Sequence, residues 1–141
     1  MDKIYFTLDS YTVDFDLRPP ITIIRGNTGS GKSLFWQWFG DQKDLPENSA
    51  KYANIEFLNQ RSDTSSIIGK TGKIFIIDNA DILFRKHPEV VEHIALDRDN
   101  QYVIMCRRVY DLDVSPNHYA VVAENDNIFT LQYQSSVEGW Y

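Results

Sequence analysis

The stretch from Ile21 to Ser33, ITIIRGNTGSGKS, joins a short apolar run to a loop that is rich in glycine. The run from Ile21 to Arg25 has the β-branched composition of a buried strand. The loop holds three glycines, and because glycine has no Cβ and adopts positive φ freely, its backbone can curl closely around a small group. From Lys32 to about Gly40 the apolar side chains are spaced like one face of a helix. The sequence therefore predicts a strand, a tight loop and a helix in succession.

A loop of this kind is suited to holding a phosphate group. Several main-chain N–H groups can point at one anion, and a helix that begins at the end of the loop adds its unpaired N–H groups and the positive end of its dipole. The ammonium of Lys32 can reach terminal phosphates, and the hydroxyl of Ser33 can bind Mg²⁺. The residues predicted to bind the nucleotide are Gly26, Asn27, Thr28, Gly29, Ser30, Gly31, Lys32, Ser33 and Leu34.

A second apolar run ends in an acidic residue. The segment Lys73–Asp78, KIFIID, has the strongest strand pattern in the chain. In the P-loop NTPase superfamily, which residues 26–33 resemble, a carboxylate at the end of such a strand holds the hydration shell of a bound Mg²⁺. The resemblance therefore implies that Asp78 and Ser33 form the metal site. The alternative is that Asp78 only caps the turn after a core strand.

Strands and helices alternate through the middle of the chain, and this favours a parallel sheet covered on both faces. At both ends, apolar and polar residues alternate with a period of two, which predicts antiparallel hairpins. The predicted strands are residues 4–17 as a hairpin, 21–25, 52–58, 73–78, 102–106 and 119–133 as a second hairpin, and the predicted helices are 32–40, 63–68 and 88–96.

Residues 26–33 and the segment KIFIIDNAD, from Lys73 to Asp81, resemble the Walker A and Walker B motifs of the P-loop NTPase superfamily. The order of elements is similar to the branch that contains AAA, RecA-like and ABC ATPases. The resemblance implies an α/β fold with a three-layer core around a parallel sheet, and with the strand after Walker B inserted between the two motif strands. It implies Mg²⁺ and a nucleotide as cofactors, and because no NKxD guanine motif is present, the nucleotide is expected to be ATP.

The residue after Asp78 departs from the pattern of that branch, which usually places a catalytic glutamate directly after the Walker B aspartate or on a neighbouring strand. Asn79 follows Asp78 here, and an amide cannot accept a proton as a carboxylate does. Asp81 is the next acidic residue along the chain, and Glu56 lies on the predicted strand before. Each is a candidate for the group that orients the attacking water, and a surface acid or a helix cap is the alternative for both.

An arginine is the remaining part expected of a phosphoryl-transfer site, because a guanidinium stabilises charge on the transferred group. Arg107 and Arg108 follow the predicted strand 102–106, and Arg61 is a weaker candidate. The alternative for the arginine pair is solvent exposure and pairing with nearby aspartates. The predicted catalytic set is Lys32, Asp78, Asp81 and Arg107.

Length, composition and net charge indicate the number of domains and the kinds of partner to expect. The chain has 141 residues, of which 43% are apolar, so we expect one compact domain over residues 1–141. Its net charge of −6 argues against nucleic acid as a partner. The lone Cys106 lies in an apolar run and is expected to be a buried thiol. Because the sequence shows neither a membrane-spanning run nor a signal peptide, the expected compartment is the cytoplasm.

These features favour a Mg²⁺-dependent ATPase with slow intrinsic hydrolysis, acting as a switch or as a subunit with a second copy or another protein. A nucleotide-binding regulatory or scaffold module that does not hydrolyse is the main alternative, and Asn79 is the feature that favours it. A small P-loop kinase is a third reading, which would need a longer arginine-bearing lid than Arg107 and Arg108 provide.

Overall fold

Eight strands form one mixed sheet in the computed structural model, which describes residues 3–8, 10–25, 40–41, 45–46, 52–106 and 118–133. Helices in these ranges are short. The strands are β1 (Lys3–Leu8), β2 (Tyr11–Asp16), β3 (Ile21–Arg25), β4 (Ile55–Leu58), β5 (Ile74–Ile77), β6 (Gln101–Cys106), β7 (Tyr119–Asn125) and β8 (Ile128–Tyr133), and the helices are α1 (Ala80–Lys86) and α2 (Pro88–Leu96).

The strand order across the sheet is β1-β2-β8-β7-β3-β6-β5-β4. The strands from β7 to β4 in this order pair in parallel. The pairs β1–β2 and β7–β8 are antiparallel hairpins, and a parallel pairing of β2 with β8 joins them. The position of β6 between β3 and β5 confirms the predicted insertion of that strand between the two motif strands.

The sheet curls, so that its two halves share one hydrophobic core. Side chains on the inner face of the first hairpin, including Ile4 and Phe15, belong to the same buried cluster as side chains of β5 and β6, including Ile76 and Met105. Tyr52, which precedes β4, contributes its ring to the same buried cluster. Its buried hydroxyl donates a hydrogen bond of 2.9 Å to the main-chain oxygen of Tyr5 in β1. The two outermost strands of the sheet are therefore linked.

The two helices pack together on the opposite face. Leu83 and Phe84 of α1 and Ile94 of α2 are buried against a second cluster that includes Phe75 of β5 and Ile104 of β6. Apolar residues therefore occupy both faces of β5 and β6, which explains why these strands are continuous apolar runs in the sequence.

The predicted three-layer α/β core is wrong. The described part of the chain is mostly strand, with only α1 and α2 as α-helices, and the sheet is a curled mixed half-barrel. The physical reason lies in the hairpin residues. Ile4, Phe6, Val13 and Phe15 cover the concave face of the sheet, where a three-layer fold would place helices. A strand that is buried on both faces has the same sequence pattern whether helices or hairpin strands cover its concave face.

Several local predictions also need correction. Helix α1 was not predicted, although Ala80, Leu83 and Phe84 follow helical spacing and are buried. The helix expected at 63–68 is a single 3₁₀ turn, Thr64–Ser66, in which the N–H of Ser65 donates to Oδ1 of Asp63 at 3.0 Å. The helix predicted over 32–40 lies outside the described residues except for Gly40, which is helical. Cys106 is buried, as predicted. None of the helices in the described ranges has the length and apolarity needed to cross a bilayer.

A buried polar cluster fastens the end of α2 to the start of β6. The carboxylate of Asp97 accepts hydrogen bonds from the Tyr102 hydroxyl at 2.5 Å, the Asn100 amide at 2.9 Å and the Asp99 main-chain N–H at 2.8 Å. His93 lies 3.7 Å away. Burial alone would raise the pKa of Asp97, but the hydrogen bonds from Tyr102, Asn100 and Asp99 and the proximity of His93 lower it below its ordinary value. Burial, followed by the bond to Asp97, raises the pKa of Tyr102.

Replacing Asp97 with asparagine should destabilise the fold at neutral pH and flatten its acid sensitivity. Since the folded-state pKa of Asp97 is lowered, its carboxylate stabilises the fold above the unfolded pKa near 4, and this stability is lost as the pH falls through the lower folded value. We expect a loss of about 1–3 kcal/mol at pH 7, measured by urea unfolding between pH 2 and 7. The exposed hairpin residue Asp126 supplies the control, Asp126→Asn. An unchanged acid limb in Asp97→Asn would contradict this role.

Candidate functional site

The carboxyl ends of the parallel strands meet at one edge of the sheet, which we call the carboxyl edge. The register pairs Leu58 of β4 with Ile77 of β5, and Ile77 with Ile104 of β6. It also pairs Arg25, the last residue of β3, with Cys106, the last residue of β6. The chain therefore leaves β3, β4, β5 and β6 on the same side, where crevices in open parallel sheets bind ligands.

Asp78 stands at this edge directly after β5. Its main-chain N–H donates to the oxygen of Leu58 at 2.9 Å, and its Oδ1 accepts from the N–H of Asn79 at 2.9 Å. The side chain is half-buried, so it is held by the turn and still reaches the surface. One strand, β6, separates it from the end of β3, which corresponds to about 10 Å at ordinary strand spacing.

Asn79 turns its side chain toward β4. Its φ of 53° and ψ of 43° are left-handed, a conformation that asparagine tolerates better than most residues. As the residue before α1 it accepts a helical hydrogen bond from Ile82 at 3.1 Å, and its Nδ2 donates to Oε1 of Gln60 at 3.0 Å. This amide pair has no carboxylate, so it cannot act as a general base.

Gln60 is a site residue that the sequence analysis missed. A turn after β4 fixes it: the N–H of Ser62 donates to the oxygen of Asn59 at 3.0 Å, and the N–H of Asn59 donates to the Ser62 hydroxyl at 2.9 Å. With Oε1 bound by Asn79, the Nε2 donors of Gln60 face away from that bond and suit an oxyanion or a water molecule. Its place two residues after the end of the predicted strand 52–58 was the signal in the sequence.

The two acids considered as catalytic bases differ in their surroundings. Asp81 lies in the first turn of α1 with its side chain buried, 6% exposed, where its charge complements the positive end of the helix. Glu56 is held in an ion pair with Lys70, at 2.8 Å. It pairs with Phe75 in the register and so lies well before the level of Asp78. The structure therefore does not bring Glu56 to the candidate site.

The loop 26–33, with Lys32 and Ser33, lies outside the described residues, as do Leu34, Arg107 and Arg108. Arg25 is half-buried at the end of β3, and Arg61 is exposed in the turn after β4, where its main-chain N–H donates to Asn59 Oδ1 at 2.8 Å.

An aromatic pair projects beyond the carboxyl edge on the side of the hairpins. Because β2 runs antiparallel to β3, its first residue, Tyr11, lies at the end of the sheet to which β3 points. The Tyr11 ring stacks on Phe129 at a centroid distance of 5.6 Å and is 37% exposed. An exposed aromatic face of this kind can stack on a nucleobase.

Comparison of the chain with protein-family models, with curated proteins and with solved structures gave no match. The chemistry of the site is therefore inferred from its own residues. One carboxylate and one pair of amides lie at the edge from which the glycine-rich loop departs, and one exposed ring lies beyond that edge on the side of the hairpins.

Proposed function

We propose that the chain binds a nucleoside triphosphate, with ATP favoured, together with Mg²⁺ at the carboxyl edge. The observation that carries the proposal is the placement of Asp78 on the same edge as the end of β3, one strand away. A glycine-rich loop leaving β3 could hold the phosphates while a carboxylate after β5 holds the metal, since Mg²⁺ takes few protein oxygens besides those of the phosphates.

Slow hydrolysis is the activity that best fits the residues around Asp78. The amide pair of Asn79 and Gln60 can orient a water molecule but cannot remove its proton. We therefore propose a protein that cycles slowly and works as a switch or as a subunit of an assembly, with an arginine such as Arg107 or one from a second copy completing the site. The cytoplasm is the proposed compartment, because it supplies nucleoside triphosphates and keeps a lone thiol reduced.

Isothermal titration with ATP, GTP and a non-hydrolysable analogue, each with and without Mg²⁺, tests nucleotide binding. We expect saturable binding of ATP that is tighter with Mg²⁺, followed by measurable phosphate release at a low rate. Failure to bind any triphosphate would refute the proposal.

A nucleotide-binding module that does not hydrolyse is the second candidate, and the hydrogen bond between Asn79 and Gln60 favours it. Replacing Asn79 with glutamate separates the two candidates, because it adds a carboxylate next to Asp78. A slow ATPase should release phosphate about 100-fold faster or more in Asn79→Glu, the lower end of the contribution of a positioned general base. Asn79→Asp is the shorter control. Tight ATP binding with no phosphate release in the parent chain or the variant would leave only the non-hydrolysing module.

Replacing Asp78 with asparagine should remove the effect of Mg²⁺ on binding. The change keeps the shape and the acceptor oxygen that binds the N–H of Asn79, but it removes the charge that attracts the metal. Affinity for ATP with Mg²⁺ should fall about tenfold or more, while affinity without Mg²⁺ stays the same or rises. Glu92→Gln, at an exposed position of α2, removes the same charge as a control. An unchanged response to Mg²⁺ would exclude Asp78 as a metal ligand.

A further inference from the structure

We draw no further inference here: the strongest candidate, the surface patch formed by the stacked rings of Tyr11 in β2 and Phe129 in β8, belongs to the candidate site already described and carries nothing beyond the nucleotide binding proposed there.

Discussion

Replacing Lys32 with alanine should abolish the affinity of the chain for a nucleoside triphosphate and leave the fold intact. The ammonium is the charge in the loop GNTGSGKS that can neutralise the terminal phosphates, while the loop amides supply uncharged donors. Charged hydrogen bonds contribute about 1.5–3 kcal/mol each, and an ammonium that contacts more than one phosphate oxygen makes more than one of them. We expect a loss of about 100-fold or more in affinity, measured by isothermal titration with a non-hydrolysable ATP analogue.

The matched control for this prediction is Lys70→Ala. Lys70 pairs with Glu56 at 2.8 Å, away from Asp78 and the end of β3, so its loss should leave nucleotide affinity unchanged. Circular dichroism and thermal unfolding establish that both variants fold. If Lys32→Ala folds and binds the analogue as the parent chain does, the glycine-rich loop does not hold the phosphates, and the proposed function fails with it.

Replacing Tyr52 with alanine should cause the largest loss of stability among the substitutions considered. Its ring is 2% exposed within the concave-face core and its hydroxyl donates to Tyr5 at 2.9 Å. Removing a buried aromatic ring costs about 3–5 kcal/mol, a large share of the stability of a small domain. Urea unfolding monitored by circular dichroism measures the change.

Tyr52→Phe divides the loss into its parts. The ring stays, but the main-chain oxygen of Tyr5 loses its donor, and we expect a cost of about 1–2 kcal/mol. Tyr5→Ala serves as the exposed control, since the Tyr5 side chain is 46% exposed and its main-chain oxygen is retained. If Tyr52→Phe is as stable as the parent chain, the hydrogen bond between the two outer strands contributes nothing measurable. If Tyr52→Ala is equally stable, the ring is not part of the core.

The central strands and their motif residues could be predicted because their signals are local. The runs ending at Arg25 and Asp78 are almost wholly β-branched and apolar, and a turn or loop signal follows each of them. The insertion of β6 between β3 and β5 was expected from the resemblance to the P-loop NTPase branch. The strand signals themselves depend on neighbouring residues, which the sequence gives directly.

Features that depend on distant contacts were not predictable in the same way. The curl of the sheet rests on the parallel pairing of β2 with β8 and on the bond from Tyr52 to Tyr5, residues 47 apart in sequence. The alternation of Ile4, Phe6, Val13 and Phe15 would look the same in a flat sheet covered by helices. The pairing of Asn79 with Gln60 likewise joins the ends of two strands, and only the register of β4 with β5 brings them together.

The bond from Tyr52 also bears on how copies of this chain behave toward one another. An outermost strand offers unpaired main-chain groups, and such groups recruit strands from other molecules during aggregation. In β1 the hydroxyl of Tyr52 already occupies the oxygen of Tyr5, which interrupts the row that an incoming strand would have to match. The Tyr52 side chain, which joins the two ends of the sheet, therefore also opposes aggregation. The Tyr52→Ala chain should assemble into β-rich aggregates at a lower protein concentration than the parent chain.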